Sequence, residues 1–175
     1  MCGRKEDKRK IMKIFIFGPP GAGKSTLAFE CGKRTRLPVF HIDHFFFKAP
    51  NIHISKEEGL RELKGTLPDD DWIVEGNHGA ALDYVAEKAD HVIIMNINPL
   101  LCTYRIIKRH IQNDPVLKKA VSEGWEETLC WQFIWFTLRL FPKNFLQQTA
   151  RIEQFCKGTV HNIRDLKEFD YNEIM

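Results

Sequence analysis

Residues 14–29 read IFIFGPPGAGKSTLAF, and within them Lys24, Ser25 and Thr26 are side chains that could act on a phosphate. The run Gly18-Pro19-Pro20-Gly21-Ala22-Gly23-Lys24-Ser25 fits the spacing G-x-x-x-x-G-K-[ST] of a phosphate-binding loop, or P-loop. Pro19 and Pro20 have no N–H to offer and stiffen the start of the loop. Amide donors therefore come from Gly21 through Thr26. Gly21 and Gly23 let the backbone curl around an anion without side-chain clashes. A helix that starts at the end of the loop aims its positive pole at the same anion. Lys24 is then placed to reach the β- and γ-phosphates of a nucleotide, and Ser25 to bind Mg²⁺. The bland alternative is a tight glycine-rich turn. A strand before the loop and a helix after it favour phosphate binding.

Positioning that loop takes a sheet. KIFIF (13–17), PVFHI (38–42), WIVE (72–75), HVIIMNI (91–97) and, more weakly, TVHNI (159–163) read as strands. The first four are rich in Val, Ile and Phe and lack strict polar alternation, as strands covered on both faces of a parallel sheet do. Helical segments lie between them. One runs from the loop to about Arg36, and one opens at Ser55 with Glu58 three residues on, a capping box. Another follows Pro99, and others cover Trp125–Phe141, Lys143–Cys156 and, briefly, Arg164–Asn172. Alternation of strand and helix predicts right-handed crossovers and a three-layer α/β/α sandwich with a five-stranded parallel sheet. Residues 1–11 are expected to be a disordered basic leader and 12–175 a single domain.

Further candidates follow from that sheet. Asp43 and Glu75 close two of the strands, at the carboxyl edge where open parallel sheets bind ligands. Asp43 could orient an acceptor hydroxyl and take its proton, or could be a turn aspartate. Glu75 ends an apolar run, where a carboxylate needs a partner. Mg²⁺ or a structural hydrogen bond would serve, so its expected role is metal ligand or base. Arg105, Lys108 and Arg109 share a helix face by spacing, with Leu100, Tyr104, Ile107 and Ile111 as the opposing apolar stripe. The arginines could neutralise a transferring phosphoryl group or form a solvated basic face. QNDPVLKKAVSEG (112–124) reads as the tip of a mobile lid. Trp125, Trp131, Phe133, Trp135, Phe136 and Phe141 read as core packing, with a pocket or dimer face as the alternative. The seven histidines show no metal spacing.

No guanine-reading N-K-x-D and no D-G-F-P-R occurs, which argues against a GTPase switch and an ordinary adenylate kinase. GPPGAGKST resembles the loops of adenylate-kinase-like P-loop kinases. Over most of residues 12–113 the chain resembles the bacterial DNA topology modulation protein family of small P-loop kinase-like proteins. LPVFHIDHFFFKAP, WIVEGN and the R-x-x-x-R of Arg105 and Arg109 carry the likeness. Glu75 stands where that family would have Asp, and His78 where it would have Tyr. HIDHFF also resembles the segment of uridine-kinase-like enzymes whose aspartate faces the acceptor hydroxyl, which implies that role for Asp43. The resemblance further implies that Arg105 and Arg109 belong to a mobile lid, and that Arg164 and Asp165 lie where such kinases hold adenine.

The remaining bounds are broad. The chain has 175 residues and a net charge of only +3, too small an excess for strong nucleic-acid binding. Five scattered cysteines without a C-x-x-C pair fit a reduced, cytoplasmic protein. The apolar stretch 128–141 is too short to span a bilayer. The sequence thus predicts an ATP- and Mg²⁺-dependent phosphotransferase acting on a small-molecule hydroxyl or phosphate, with a nucleoside or nucleotide as acceptor. It is expected to be a monomer or homodimer, with no nucleic acid or membrane as partner. The alternatives are a nucleotide-dependent, DNA-topology-modulating or regulatory nucleic-acid-binding protein, and an ATPase without acceptor.

Overall fold

The structure, a computed structural model, describes residues 12–49, 52–112 and 134–174. The proposed leader, the lid tip beyond Gln112, and Trp125, Trp131 and Phe133 lie outside them.

Five strands form one parallel sheet: β1 (Lys13–Phe17), β2 (Val39–His41), β5 (Trp72–Glu75), β6 (His91–Met95) and β7 (Thr159–Ile163). Their order across the sheet is β2-β5-β1-β6-β7, with β1 in the centre. Period-two alternation divides β1 between two cores. Phe15 and Phe17 pack with Val74, Val92 and Ile94 under α3 (Lys56–Thr66), α4 (Leu82–Lys88) and α6 (Phe141–Phe155). Ile14 and Ile16 pack with Ile73, Ile93 and Met95 under α1 (Lys24–Thr35) and α5 (Pro99–Gln112). The predicted three-layer sandwich is what forms. Both faces are covered, which is why the strands read as continuous apolar runs. Among the described residues, no helix is long and apolar enough to cross a membrane.

Several local features depart from the sequence reading. After β2 the chain makes a single helical turn, α2 (Asp43–Phe46), then a small antiparallel hairpin of β3 (Phe47–Ala49) and β4 (Ile52–His53). The two helices expected to meet near Phe141 are continuous from residue 134 to 155 in the described part. They join through a π-helical turn, Phe136–Leu140, in which the Phe141 N–H donates to the Phe136 carbonyl. Pro142 explains the widening: it lacks an N–H, and its ring crowds the preceding turn. Phe141 is buried as expected, but Trp135 is 58% exposed, with Arg139 over its ring. The last predicted helix is instead two 3₁₀ turns, Leu166–Glu168 and Tyr171–Ile174.

Candidate active site

The site is built where β1, β2 and β5 end. The register sets Ile16 opposite Glu75 in β1–β5 and His41 opposite Glu75 in β2–β5. Alternation puts Glu75, like Ile73, on the α1 side of the sheet. The loop after Phe17 turns back over this edge and delivers Lys24 and Ser25 in the first turn of α1.

Gly21 and Gly23 have φ of 75° and 98°, the left-handed region that glycine occupies without strain. Space excludes side chains as well. A Cβ on Gly21 would lie 2.5 Å from the Cys102 carbonyl oxygen of α5, and one on Gly23 would lie 3.0 Å from Leu166 Cδ1. Gly21 therefore accommodates the close approach of α5. Gly21→Ala is expected to destabilise the fold by at least about 2 kcal/mol, from left-handed strain plus the clash. Chemical denaturation measures it.

The start of α1 is unusual for a helix. Its N-cap, Gly23, gives no side-chain cap, and no acidic residue occupies the first turn. The first residue is instead a cation, Lys24, at the positive pole. Helix α3 shows the ordinary solution: Ser55 Oγ accepts from the Glu58 N–H at 3.1 Å, and Glu57 and Glu58 fill the first turn. A glycine N-cap costs about a few tenths of a kcal/mol against serine, and a misplaced charge about 0.3–1 kcal/mol. The uncapped first-turn amides, with a lysine among them, suit an anion supplied from outside. The Ala22 N–H is turned inward, to the Pro19 carbonyl at 3.2 Å, so this one of the expected donors is spent within the loop. The same carbonyl accepts from Lys24 Nζ at 3.0 Å. Gly18 and Ala22 are buried, and Thr26 is exposed.

Glu75 is 6% exposed and surrounded by donors. Ser25 Oγ donates to its Oε1 at 3.0 Å, and His41 Nδ1 lies 2.5 Å from the same oxygen. Burial pushes the Glu75 carboxyl up, but the His41 hydrogen bond, the Lys24 and His41 charges and the Ser25 hydrogen bond outweigh it and hold it below the usual range. The bond to Glu75 raises His41 in turn, against its own desolvation. Desolvation and the His41 charge lower His44.

Asp43 opens α2 beside this group. Crowding of its carboxylate by protein pushes its pKa up; the Lys24 charge pulls it down and the Glu75 charge adds to the rise. The residue keeps a solvent-exposed surface, so it is the more accessible of the two carboxylates. Ser25 and Glu75 offer hard oxygens side by side, the donors Mg²⁺ prefers. No group of three or more His, Cys, Asp or Glu among the described residues could hold a metal unaided. Mg²⁺ carried by phosphates needs only one or two protein oxygens, so the residues fit it.

Helix α5 packs differently from the sequence reading. Leu100, Tyr104 and Ile111 are 70%, 59% and 74% exposed, and Ile107 is half-buried; the buried face is Cys102, Thr103 and Ile106. The missing Cβ of Gly21 is what lets the Cys102 backbone close on the loop. The basic face is split as a result. Arg105 donates from a guanidinium N–H to the Ala22 carbonyl at 3.1 Å, and Arg109 is half-buried on the same side. Lys108 points outward, over the Tyr104 ring. Arg164 is exposed, and its N–H donates to the Glu168 carboxylate. Leu166, two residues on, is the side chain that reaches the loop, at Gly23. Sequence reasoning missed Leu166 and, more importantly, His41.

No protein-family model and no curated protein matches the chain. Solved structures do. Shikimate kinase from Bacteroides thetaiotaomicron superposes with a TM-score of 0.50 at 15% identity, over 83% of this chain and 94% of that one. A "putative kinase" from Chloroflexus aurantiacus superposes with a TM-score of 0.54 at 16% identity, over 95% of each chain. The chain has the P-loop kinase fold. Within that fold, the loop between β1 and α1 and the ends of β2 and β5 are where the candidate residues gather.

Proposed function

We propose that this protein is a phosphotransferase that moves the terminal phosphoryl group of ATP to a small-molecule hydroxyl or phosphate, with a nucleoside or nucleotide as acceptor. The observation that carries the reading is the start of α1: uncapped, free of acidic residues and bearing Lys24, with Ser25 bonded to Glu75. Gly18, Gly21, Gly23, Ser25 and Thr26 and the neighbouring backbone would cradle the phosphates. Lys24 would bridge them. Ser25 and Glu75 would hold Mg²⁺, which when bound neutralises phosphate charge. Asp43, accessible and raised in pKa, would orient the acceptor and take its proton. Arg105 and Arg109 would add positive charge on the α5 side, and Arg164 would lie near the base.

We also infer kinship with the bacterial DNA topology modulation proteins, supported by the HID, WIVEGN and R-x-x-x-R segments. A cytoplasmic setting is supported by the free Cys31, Cys102 and Cys156. The small net charge gives no support to a role on DNA. The accessible Asp43 favours transfer to an acceptor over bare ATP hydrolysis.

A screen of nucleosides, nucleotides and other hydroxyl acceptors with γ-labelled ATP tests this reading. The expected result is label transferred to one acceptor class and dependent on Mg²⁺. Label released only as free phosphate with every acceptor would make the protein an ATPase.

A further inference from the structure

We propose that His41 is a positioning residue for Glu75, and so for the phosphate-side metal site; this role rests on the phosphotransferase reading above.

The arrangement begins in the backbone. His41 and Glu75 are register partners at the carboxyl ends of adjacent strands, and the Ile42 N–H donates to the Glu75 carbonyl at 2.9 Å. Both side chains therefore leave the sheet on the same face and at the same height. The imidazole closes the gap, with Nδ1 2.5 Å from Glu75 Oε1. A carboxylate only accepts, so Nδ1 carries the proton and donates. Ser25 Oγ donates to the same oxygen at 3.0 Å. Two donors on one oxygen fix the rotation of the carboxylate, and among the described residues no hydrogen bond engages Oε2. The ring is itself held: His44 packs on it at a centroid distance of 5.1 Å, and only 29% of the His41 side chain is exposed.

Without His41, a buried carboxylate would keep Ser25 as its single hydrogen-bond donor. It would then be free to rotate away from the loop. A group that orients a metal-binding carboxylate from behind typically controls metal affinity or activity by about 10–100-fold.

Three replacements separate orientation from packing. His41→Ala removes the ring, His41→Phe keeps its bulk without a donor, and His41→Asn places an amide N–H near the position of Nδ1. Each is titrated with Mg²⁺ at fixed ATP, following phosphoryl transfer and, separately, the thermal shift on ATP binding. The half-saturating Mg²⁺ is expected to rise about 10–100-fold in His41→Ala and His41→Phe and to return towards wild type in His41→Asn. Binding of ATP without Mg²⁺ should stay unchanged in all three. A His41→Phe protein with wild-type Mg²⁺ dependence would overturn the proposal and leave the ring as packing. Nitrogen-15 NMR of the ligand-free protein reads the contact itself: a protonated His41 Nδ1 whose resonance moves in Glu75→Gln is expected, and an unprotonated Nδ1 would refute the bond. If wild type shows no Mg-ATP shift, the phosphotransferase reading fails and the metal role with it, while the NMR signal still reports whether His41 holds Glu75.

Discussion

Lys24→Ala is expected to lose phosphoryl transfer by at least about 10³-fold and to lose the thermal stabilisation that Mg-ATP gives wild type. The ligand-free fold should lose much less. Removing Nζ costs its charged hydrogen bond to the Pro19 carbonyl, about 1.5–3 kcal/mol. Removing a cation from the positive pole of α1 returns about 0.3–1 kcal/mol. The helix effect offsets only part of the loss, and the Lys24 charge also steadies the Glu75 and Asp43 carboxylates, so the apparent melting temperature without ligand should fall modestly. That combination separates a ligand-binding lysine from a structural one. A large melting loss without ligand, with Mg-ATP stabilisation intact, would place Lys24 in the fold rather than in the site.

The second large effect lies on the acceptor side. Asp43→Asn keeps the shape of the side chain and removes its negative charge. Transfer is expected to fall by about 10²–10⁴-fold while the Mg-ATP thermal shift stays at wild type. Glu75 is a poor rival for the proton, because Ser25 and His41 already bond its Oε1 and hold its carboxyl below the usual range. Asp43 is pushed the other way, by crowding, and remains reachable from solvent. Wild-type turnover in Asp43→Asn would return Asp43 to the role of a turn residue and make Glu75 the base to test.

How far the sequence carried depends on the kind of interaction. The strand, loop and helix of residues 13–35 were legible because their signals are local: glycine spacing, a lysine and a hydroxyl within a short run, after an apolar β-branched segment. The sheet was legible because burial on both faces leaves unbroken Val, Ile and Phe runs. The face of α5 was not. Apolar spacing pointed to Leu100, Tyr104, Ile107 and Ile111, but close approach of the Cys102 backbone to Gly21 decided the packing. A rule that weighs hydrophobicity cannot see a contact made possible by a missing Cβ.

His41 escaped for another reason. Its partner lies 34 residues away and shares no motif with it. The clue was indirect: each residue closes its strand, so pairing β2 beside β5 puts them together. Leu166 was nearer to being found, since the turn after β7 was already singled out through Arg164 and Asp165. The π-helical turn before Pro142 shows the reverse case, where the proline was visible but the helix widened instead of ending.

Calorimetric titration of ATP into the wild-type protein, with and without Mg²⁺, tests the central claim most directly. If the bare start of α1 exists to hold phosphate, ATP binds at one site per chain, Mg²⁺ tightens it, and AMP, which lacks the β- and γ-phosphates that Lys24 would reach, binds far more weakly. No saturable heat with ATP at millimolar concentration, or equal affinity for AMP and ATP, would contradict the account.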